Sequence, residues 1–257
     1  MKGVILQINP GAAIVDITHG IQPGNVRAAA FSLMASARYF PAGSIHVVVV
    51  DPGVGSTRRA LVVQTDQGFF LGPDNGVLSW ALRDSEIRGM HVLENERYFL
   101  SPISQTFHGR DIFAPVAGHL SNGVLIGAFG AALDAYQILE WREARKEGDF
   151  ILGEIVHIDR FGNAISNIEQ DMIETNMEVW ADDDLVCGGG ECYQEVRPGE
   201  AVAVCGSTGF LEIAINGGSA AANFNWSAGQ RLKVRRAPPL SLVMENRSLH
   251  CENLVNT

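Results

Sequence analysis

The chain has 257 residues, 19 Lys and Arg against 29 Asp and Glu, and a formal net charge of −10. That length holds two domains or one large one with a substantial core, and the acidic balance argues against a nucleic-acid partner, which needs clustered Lys and Arg to meet phosphates. The front of the chain carries no secretory pattern and no stretch approaches the roughly 20 apolar residues that cross a bilayer. With Cys187, Cys192, Cys205 and Cys251 outside any usual zinc spacing, this reads as a cytoplasmic protein with reduced thiols and no metal site.

In chain order, Val4, Ile5 and Ile8 predict a helix over residues 1–8, stopped by Asn9-Pro10-Gly11. Residues 13–17 read as a short buried strand. Asn25 can cap a helix over 25–39, whose apolar stripe runs Val26, Ala29, Ala30, Leu33, Met34, Ala37. A β-branched run at 45–50 reads as a strand buried on both faces, the habit of parallel sheets in α/β proteins. Residues 60–65 and 68–71 flank Asp66-Gln67 as a hairpin. GPDNG at 72–76 turns into a helix over 77–83, with Asp74 placed to cap it and Asn75-Gly76 suited to a positive φ. Short strands are predicted at 91–94 and 98–100, then a helix over 110–120 that Pro115 should kink.

Composition changes near 140–150, where ILEWREARKEGDF is charged and poorly patterned. The predicted organisation is an α/β N-terminal domain with a mostly parallel central sheet over 1–140, a linker over 141–150 and a smaller C-terminal domain over 151–236. A tail follows over 237–257. In the C-terminal domain short strands at 151–158, 164–168, 177–181, 201–205, 211–215 and 231–234 are separated by Gly and Asn turns without helices, which predicts an antiparallel barrel or sandwich.

Several constellations can carry chemistry. In VVVVDPGVGSTRR, Asp51 ends a strand and Arg58 returns seven residues later. The pair is either a loop salt bridge of little consequence or a carboxylate and guanidinium that orient a polar reactant at a sheet's carboxyl edge, where α/β sheets bind ligands. Gly53 and Gly55 fit neither a Walker loop, since no Gly-Lys-Ser/Thr follows, nor a dinucleotide fingerprint, since a hairpin and not a helix follows. His108 in FHGRD precedes a helix start and either caps it or projects into a cleft, while Arg110 and Asp111 can pair with each other. In DRFGN, Phe161 beside Asn163 suits stacking on a purine and bonding to its edge, or a bulge with a half-buried ring. Glu212 interrupts the apolar strand of STGFLEIAINGGSAA, where a carboxylate either holds an ammonium group or points to solvent.

Together INPGAAIVDITHGI, VVVVDPGVGSTRRAL, GPDNGVLSWAL, FHGRDIFAPVA and IDRFGNAISNI resemble, in this order, the S-adenosyl-L-methionine hydroxide adenosyltransferases. These adenosine-forming S-adenosylmethionine hydrolases are relatives of the fluorinases and chlorinases. The resemblance implies an Asp–Arg–His group at the water site, matched here by Asp51, Arg58 and His108. It implies nucleoside and methionine contacts at Asp51, Asn163, Ser207 and Glu212, stacking by Phe161, a backbone contact at Ile215, and a further contact at Asp159. It also implies a homotrimer whose ligand lies between the first domain of one subunit and the second of a neighbour. The implied substrate is S-adenosyl-L-methionine, with adenosine and L-methionine as products and no cofactor.

Family chains carry a strand and an acidic turn before the helix that ends in KGVI, and this sequence opens at Met1-Lys2-Gly3. The comparison implies either a start placed too late or a shortened variant lacking a central strand and a ribose contact. Two alternatives to hydrolysis therefore accompany the resemblance. One is halogenase-like substitution, disfavoured because a charged Asp51 would repel a halide. The other is a nucleoside-binding remnant without catalysis.

Overall fold

The computed structural model describes residues 1–174 and 176–237, which form two compact units divided between Trp141 and Arg142. Most of the expected tail, from 238 onward and including His250 and Cys251, lies outside the described residues.

In the first unit, helices α1 (Lys2–Ile8), α2 (Val26–Ala37), α3 (Ser79–Leu82) and α4 (Ala114–Ser121) accompany strands β1 (Ser44–Val47), β2 (Ala60–Thr65), β3 (Gly68–Pro73) and β4 (Ile87–Val92). The sheet order is β1-β3-β2-β4. Alternation along β2 and β3 explains the layers, because successive side chains leave a strand on opposite faces. Ala60, Val62 and Leu71 pack with Phe113, Val116 and Leu120 of the α4 region. Leu61, Val63 and Phe70 pack with Ala29 and Leu33 of α2 and Leu82 of α3. Both faces are covered, which is why ALVV reads as a continuous apolar run.

The α/β expectation is met, but the mostly parallel sheet is not. β1 runs parallel to β3, whereas β2 is antiparallel to both β3 and β4. The hairpin at Asp66-Gln67 forces one antiparallel pair, and β4 returns along the other edge of β2. The segment 13–17 is no strand; it has no ladder partner, and Val15 and Ile17 are exposed at 67% and 42%. The strand predicted at 45–50 ends at Val47, and Tyr98 closes a 3₁₀ turn, Glu96–Tyr98, in place of a strand.

Two expected helix features are resolved by particular bonds. Asn25 caps α2 by accepting from the Ala28 N–H at 3.0 Å. Pro115 is accommodated by a wide turn: Gly109–Phe113 is wound as a π-helix, and the Ala114 N–H bonds the Gly109 carbonyl five residues back. Gly118 lets α4 approach α1, since a Cβ there would lie 3.0 Å from the Ile8 Cβ.

The second unit contains β5 (Arg145–Glu147), β6 (Phe150–Ile158), β7 (Ala164–Glu169), β8 (Met177–Ala181), β9 (Asp184–Gly188), β10 (Ala201–Cys205), β11 (Phe210–Ile215), α5 (Ala220–Phe224) and β12 (Arg231–Arg236). β5 falls inside the segment read as a linker and pairs with β6. The main path is antiparallel, in the order β10-β11-β7-β6-β12-β8-β9. A bridge between Gly189 and Ala203 brings its two ends together, giving a nearly closed barrel. Ile155, Ile168, Val179, Leu211, Ile213 and Leu232 fill it. Since Leu211 and Ile213 point into that core, Glu212 between them lies on the opposite face. Among the described residues, no helix is long and apolar enough to cross a membrane.

Candidate active site

Two groups of predicted residues form, one in each unit. In the first unit, β1 delivers the chain to Asp51 through an extended stretch. Asn75 pins the end of this stretch, its Nδ2 donating to the Val50 carbonyl at 2.9 Å. The DPGVG turn then folds back through Ser56–Gly53 and Val54–Asp51 backbone bonds. Gly55 has φ +77°, and a Cβ there would sit 2.4 Å from the Gln105 carbonyl oxygen. Only glycine allows that approach, which presses the Asp51–Arg58 turn against the segment leading to His108.

The side chains close this corner. Arg58 Nε donates to both Asp51 carboxylate oxygens at 2.9 Å, and its Nη2 donates to Oδ2 as well. The same Nη2 reaches His108 Nδ1 at 2.7 Å. The Asp51 and Arg58 side chains are 4% and 11% exposed, so this is a buried pair and not a surface salt bridge. The guanidinium also stands 5.7 Å from the centre of the buried Phe113 ring. A guanidinium has no acceptor, so His108 Nδ1 must be the acceptor, and the neutral ring carries its proton on Nε2. Burial, then the Arg58 charge, push the His108 pKa down and favour that neutral form.

Neighbouring motifs do structural work. Asp74 does not cap α3. Its Oδ2 accepts from Arg59 Nε at 2.8 Å and its Oδ1 from the Gln137 N–H at 2.7 Å, while Asn75 Oδ1 takes the Val77 N–H. Gly76 adopts the expected positive φ. Arg110 and Asp111 pair with each other, and Asp111 also accepts from the Ser104 N–H.

In the second unit, Asp159 builds the DRFGN turn. Its Oδ1 accepts the N–H groups of Phe161 and Asn163 at 2.8 and 2.9 Å, and its Oδ2 accepts from Asn163 Nδ2 at 3.2 Å. Gly162 is wedged so tightly against Ser219 that no side chain fits. The turn therefore holds Asn163 buried and Phe161 at its tip, 67% exposed, with the Arg160 guanidinium 5.3 Å from the ring centre. Glu212 is buried, and Tyr193 Oη donates to its Oε1 at 2.7 Å. Burial raises the Glu212 pKa, the Asp159 charge adds to the rise, and hydrogen bonds from Tyr193 and Asn163 oppose it. Ser207 is exposed in the turn before β11, and the Ile215 carbonyl accepts the Gly218 N–H. Tyr193, the bond from Asn75 to Val50 and the Gly55–Gln105 contact escape sequence reasoning. A strand carboxylate in need of a donor was the only hint of Tyr193, and it does not say where the donor lies.

The first unit thus carries a buried Asp–Arg pair with a half-buried His behind a strand end, and the second an Asn–Glu pair beside an exposed aromatic on a barrel. Models of the SAM hydroxide adenosyltransferase N-terminal and C-terminal domains match residues 1–130 and 153–233. The chain belongs to the SAM hydroxide adenosyltransferase family. It is 34% identical over 235 residues to the (R)-S-adenosyl-L-methionine hydrolase of Salinispora tropica, covering 90% of each chain. It is 36% identical to the protein of that name from Thermus thermophilus, covering 86% of this chain and 87% of the relative. A fluorinase of Actinopolyspora mzabensis is more distant in this family's surroundings, at 24% identity over 92% of the chain and 91% of the relative. Among solved structures, an uncharacterized conserved protein from Thermotoga maritima superposes with TM-score 0.86 at 36% identity, over 91% of this chain and 93% of that one.

Proposed function

We propose that this chain hydrolyses S-adenosyl-L-methionine to adenosine and L-methionine. The observation that carries the reading is the single guanidinium shared by a buried carboxylate and a neutral imidazole, Arg58 between Asp51 and His108. Several relatives over most of the chain are named (R)-S-adenosyl-L-methionine hydrolase, which supports the same substrate.

The sulfonium already activates the ribose C5′, so the protein has to deliver water in line with the C–S bond. As the O–C5′ bond forms, the C5′–S bond breaks, its electron pair stays on sulfur, and methionine leaves as a neutral thioether. Positioning of this kind is worth roughly 7–11 kcal/mol of barrier. With Nδ1 occupied by Arg58, His108 presents its Nε2–H to the water oxygen, and Asp51 takes the proton that the water loses. Arg58 holds both groups in register and stabilises developing hydroxide character. In the second unit, Phe161 stacks on the adenine, Asn163 and Ser207 bond the nucleoside and methionine, Glu212 meets the α-ammonium, and Ile215 offers backbone. No cofactor enters this chemistry, because the leaving group is activated in the substrate itself.

Halide substitution is the weaker reading, since the Asp51 carboxylate at the corner repels an anion. We further assign a homotrimeric assembly and a cytoplasmic setting, supported by the family resemblance and by the free thiols of Cys187, Cys192 and Cys205. Purified protein incubated with S-adenosyl-L-methionine should release adenosine and methionine in equal amounts, followed by chromatography. Adenosine binding without product release would overturn hydrolysis in favour of a binding role.

A further inference from the structure

Glu212 is a carboxylate on a strand whose six residues are all buried. Burying such a group without partners is costly, and the charge that acts on it most closely is a second carboxylate, Asp159. Its partners are the Asn163 side chain and a hydroxyl brought from elsewhere in the barrel. Tyr193 opens a 3₁₀ turn, Tyr193–Glu195, that packs against β10. Four contacts hold that turn in place. The Gly190 N–H bonds the Ala203 carbonyl at 2.9 Å, and the Glu191 N–H bonds Glu195 Oε2 at 3.0 Å. Asn216 Nδ2 bonds the Val196 carbonyl at 2.8 Å, and Gly190 has no room for a side chain beside Glu195 and Val202. On the other side of the carboxylate, a Cβ at Gly206 would stand 2.7 Å from Glu212 Oε2. One oxygen is therefore tethered and the other lies beside a residue without a side chain.

We infer that Tyr193 is a positioning residue for substrate selection: its hydroxyl fixes Glu212 Oε1 so that Oε2 is held for the α-ammonium of an amino-acid sulfonium. This rests on the reading of Glu212 as the ammonium contact. Burial and the bond to Glu212 push the Tyr193 pKa up to about 12, so the hydroxyl remains a donor throughout the working range. Loss of a hydrogen bond to a charged group places the selection effect at roughly tenfold or more.

The test uses Tyr193→Phe, which keeps the ring and removes the donor, beside Glu212→Gln, the double variant and the wild type. Each is assayed across pH with S-adenosyl-L-methionine and with its analogue bearing a hydroxyl in place of the α-amino group. Tyr193→Phe should raise KM for the amino substrate roughly tenfold with kcat little changed. It should also move the acid limb of kcat/KM to higher pH, because the carboxylate loses a bond that favours its charged form. The penalty should vanish with the deaminated analogue and in the Glu212→Gln background. An equal penalty on both substrates, or an unmoved acid limb, would show a merely structural tyrosine. If Glu212→Gln itself left KM unchanged while wild type turned over, the ammonium assignment would fall and this inference with it. A normal Glu212→Gln effect with a silent Tyr193→Phe would overturn Tyr193 alone.

Discussion

Arg58 Nη2 lies 2.7 Å from His108 Nδ1 while Arg58 Nε holds both oxygens of Asp51, so one guanidinium fixes the tautomer of the histidine and the orientation of the carboxylate. Arg58→Ala should lower kcat on the order of 10²–10³-fold, the usual loss when a preorganised donor at developing charge is removed. Adenosine binding, read by calorimetry, should survive, because Phe161, Asn163 and Ser207 of the second unit still hold the nucleoside. The variant should also melt earlier, since Asp51 is left buried without its partner. Unchanged turnover would refute the role.

The pH dependence of kcat follows from His108. Its pKa lies below the ordinary imidazole value of about 6.5, so the ring is neutral above that point and protonates only as pH falls through the lowered value. Protonation would place a hydrogen on Nδ1 facing Arg58 and break the corner. Turnover should therefore be flat above about pH 6.5 and decline below it. His108→Gln should lower kcat and abolish that limb. A kcat limb centred above the ordinary imidazole range would count against the assignment.

Gly55→Ala tests the loop contact. The new Cβ would meet the Gln105 carbonyl and the residue would be held at φ +77°. A loss of about 1–3 kcal/mol in urea unfolding is expected. A fall in kcat beyond that seen for other variants of equal stability should accompany it, because His108 and Arg58 are drawn apart.

Phe161 separates binding from stability. With the side chain largely exposed, Phe161→Ala should leave the unfolding free energy within about 0.5 kcal/mol. The loss of a stacking surface should weaken substrate binding by about 1–3 kcal/mol, the range found for bases stacked on aromatics. A drop in melting temperature without a change in affinity would reassign the ring to packing.

Glu212 sets stability against function. Its pKa is raised in the folded state, so the folded chain binds a proton more tightly than the unfolded chain, and stability declines as pH rises from the unfolded value through the folded one. Glu212→Gln should accordingly raise the thermal midpoint while raising KM, and the gain should disappear in acid. A variant that is less stable at neutral pH would show that the carboxylate is a net structural asset.

The elements legible in the sequence are those with a local cause. The α2 cap at Asn25, the hairpin at Asp66-Gln67 and the alternating second-unit strands each follow from residues within a few positions of one another. The segment 13–17 misled because an apolar pattern marks a strand only where a neighbouring strand supplies hydrogen bonds, and sequence does not show neighbours. The apolar run at 45–50 pointed to parallel pairing, and β1 does run parallel to β3, yet the hairpin and the return of β4 along β2 make the rest of the sheet antiparallel, and within the run only His46 is buried. At the site, spacing singled out Asp51 and Arg58 only as a salt bridge or a reactive pair, and the family resemblance joined His108 to them. Tyr193 was not found, because its hydroxyl meets a carboxylate 19 residues away through a turn whose course depends on Gly190 and Asn216.

The ladder around Glu212 has one more consequence. Val204 faces it on β10 and Ile165 on β7, so the strand that carries it is bonded on both edges. Such a residue cannot slide along the barrel to follow a ligand. On the proposed reading, with the purine stacked on the Phe161 turn of the same unit, the barrel acts as a ruler for the distance between ring and ammonium. Homologues of the substrate with one methylene more or fewer between sulfur and the α-carbon present their charge off the mark, and they should be rejected by more than the small change in apolar area accounts for.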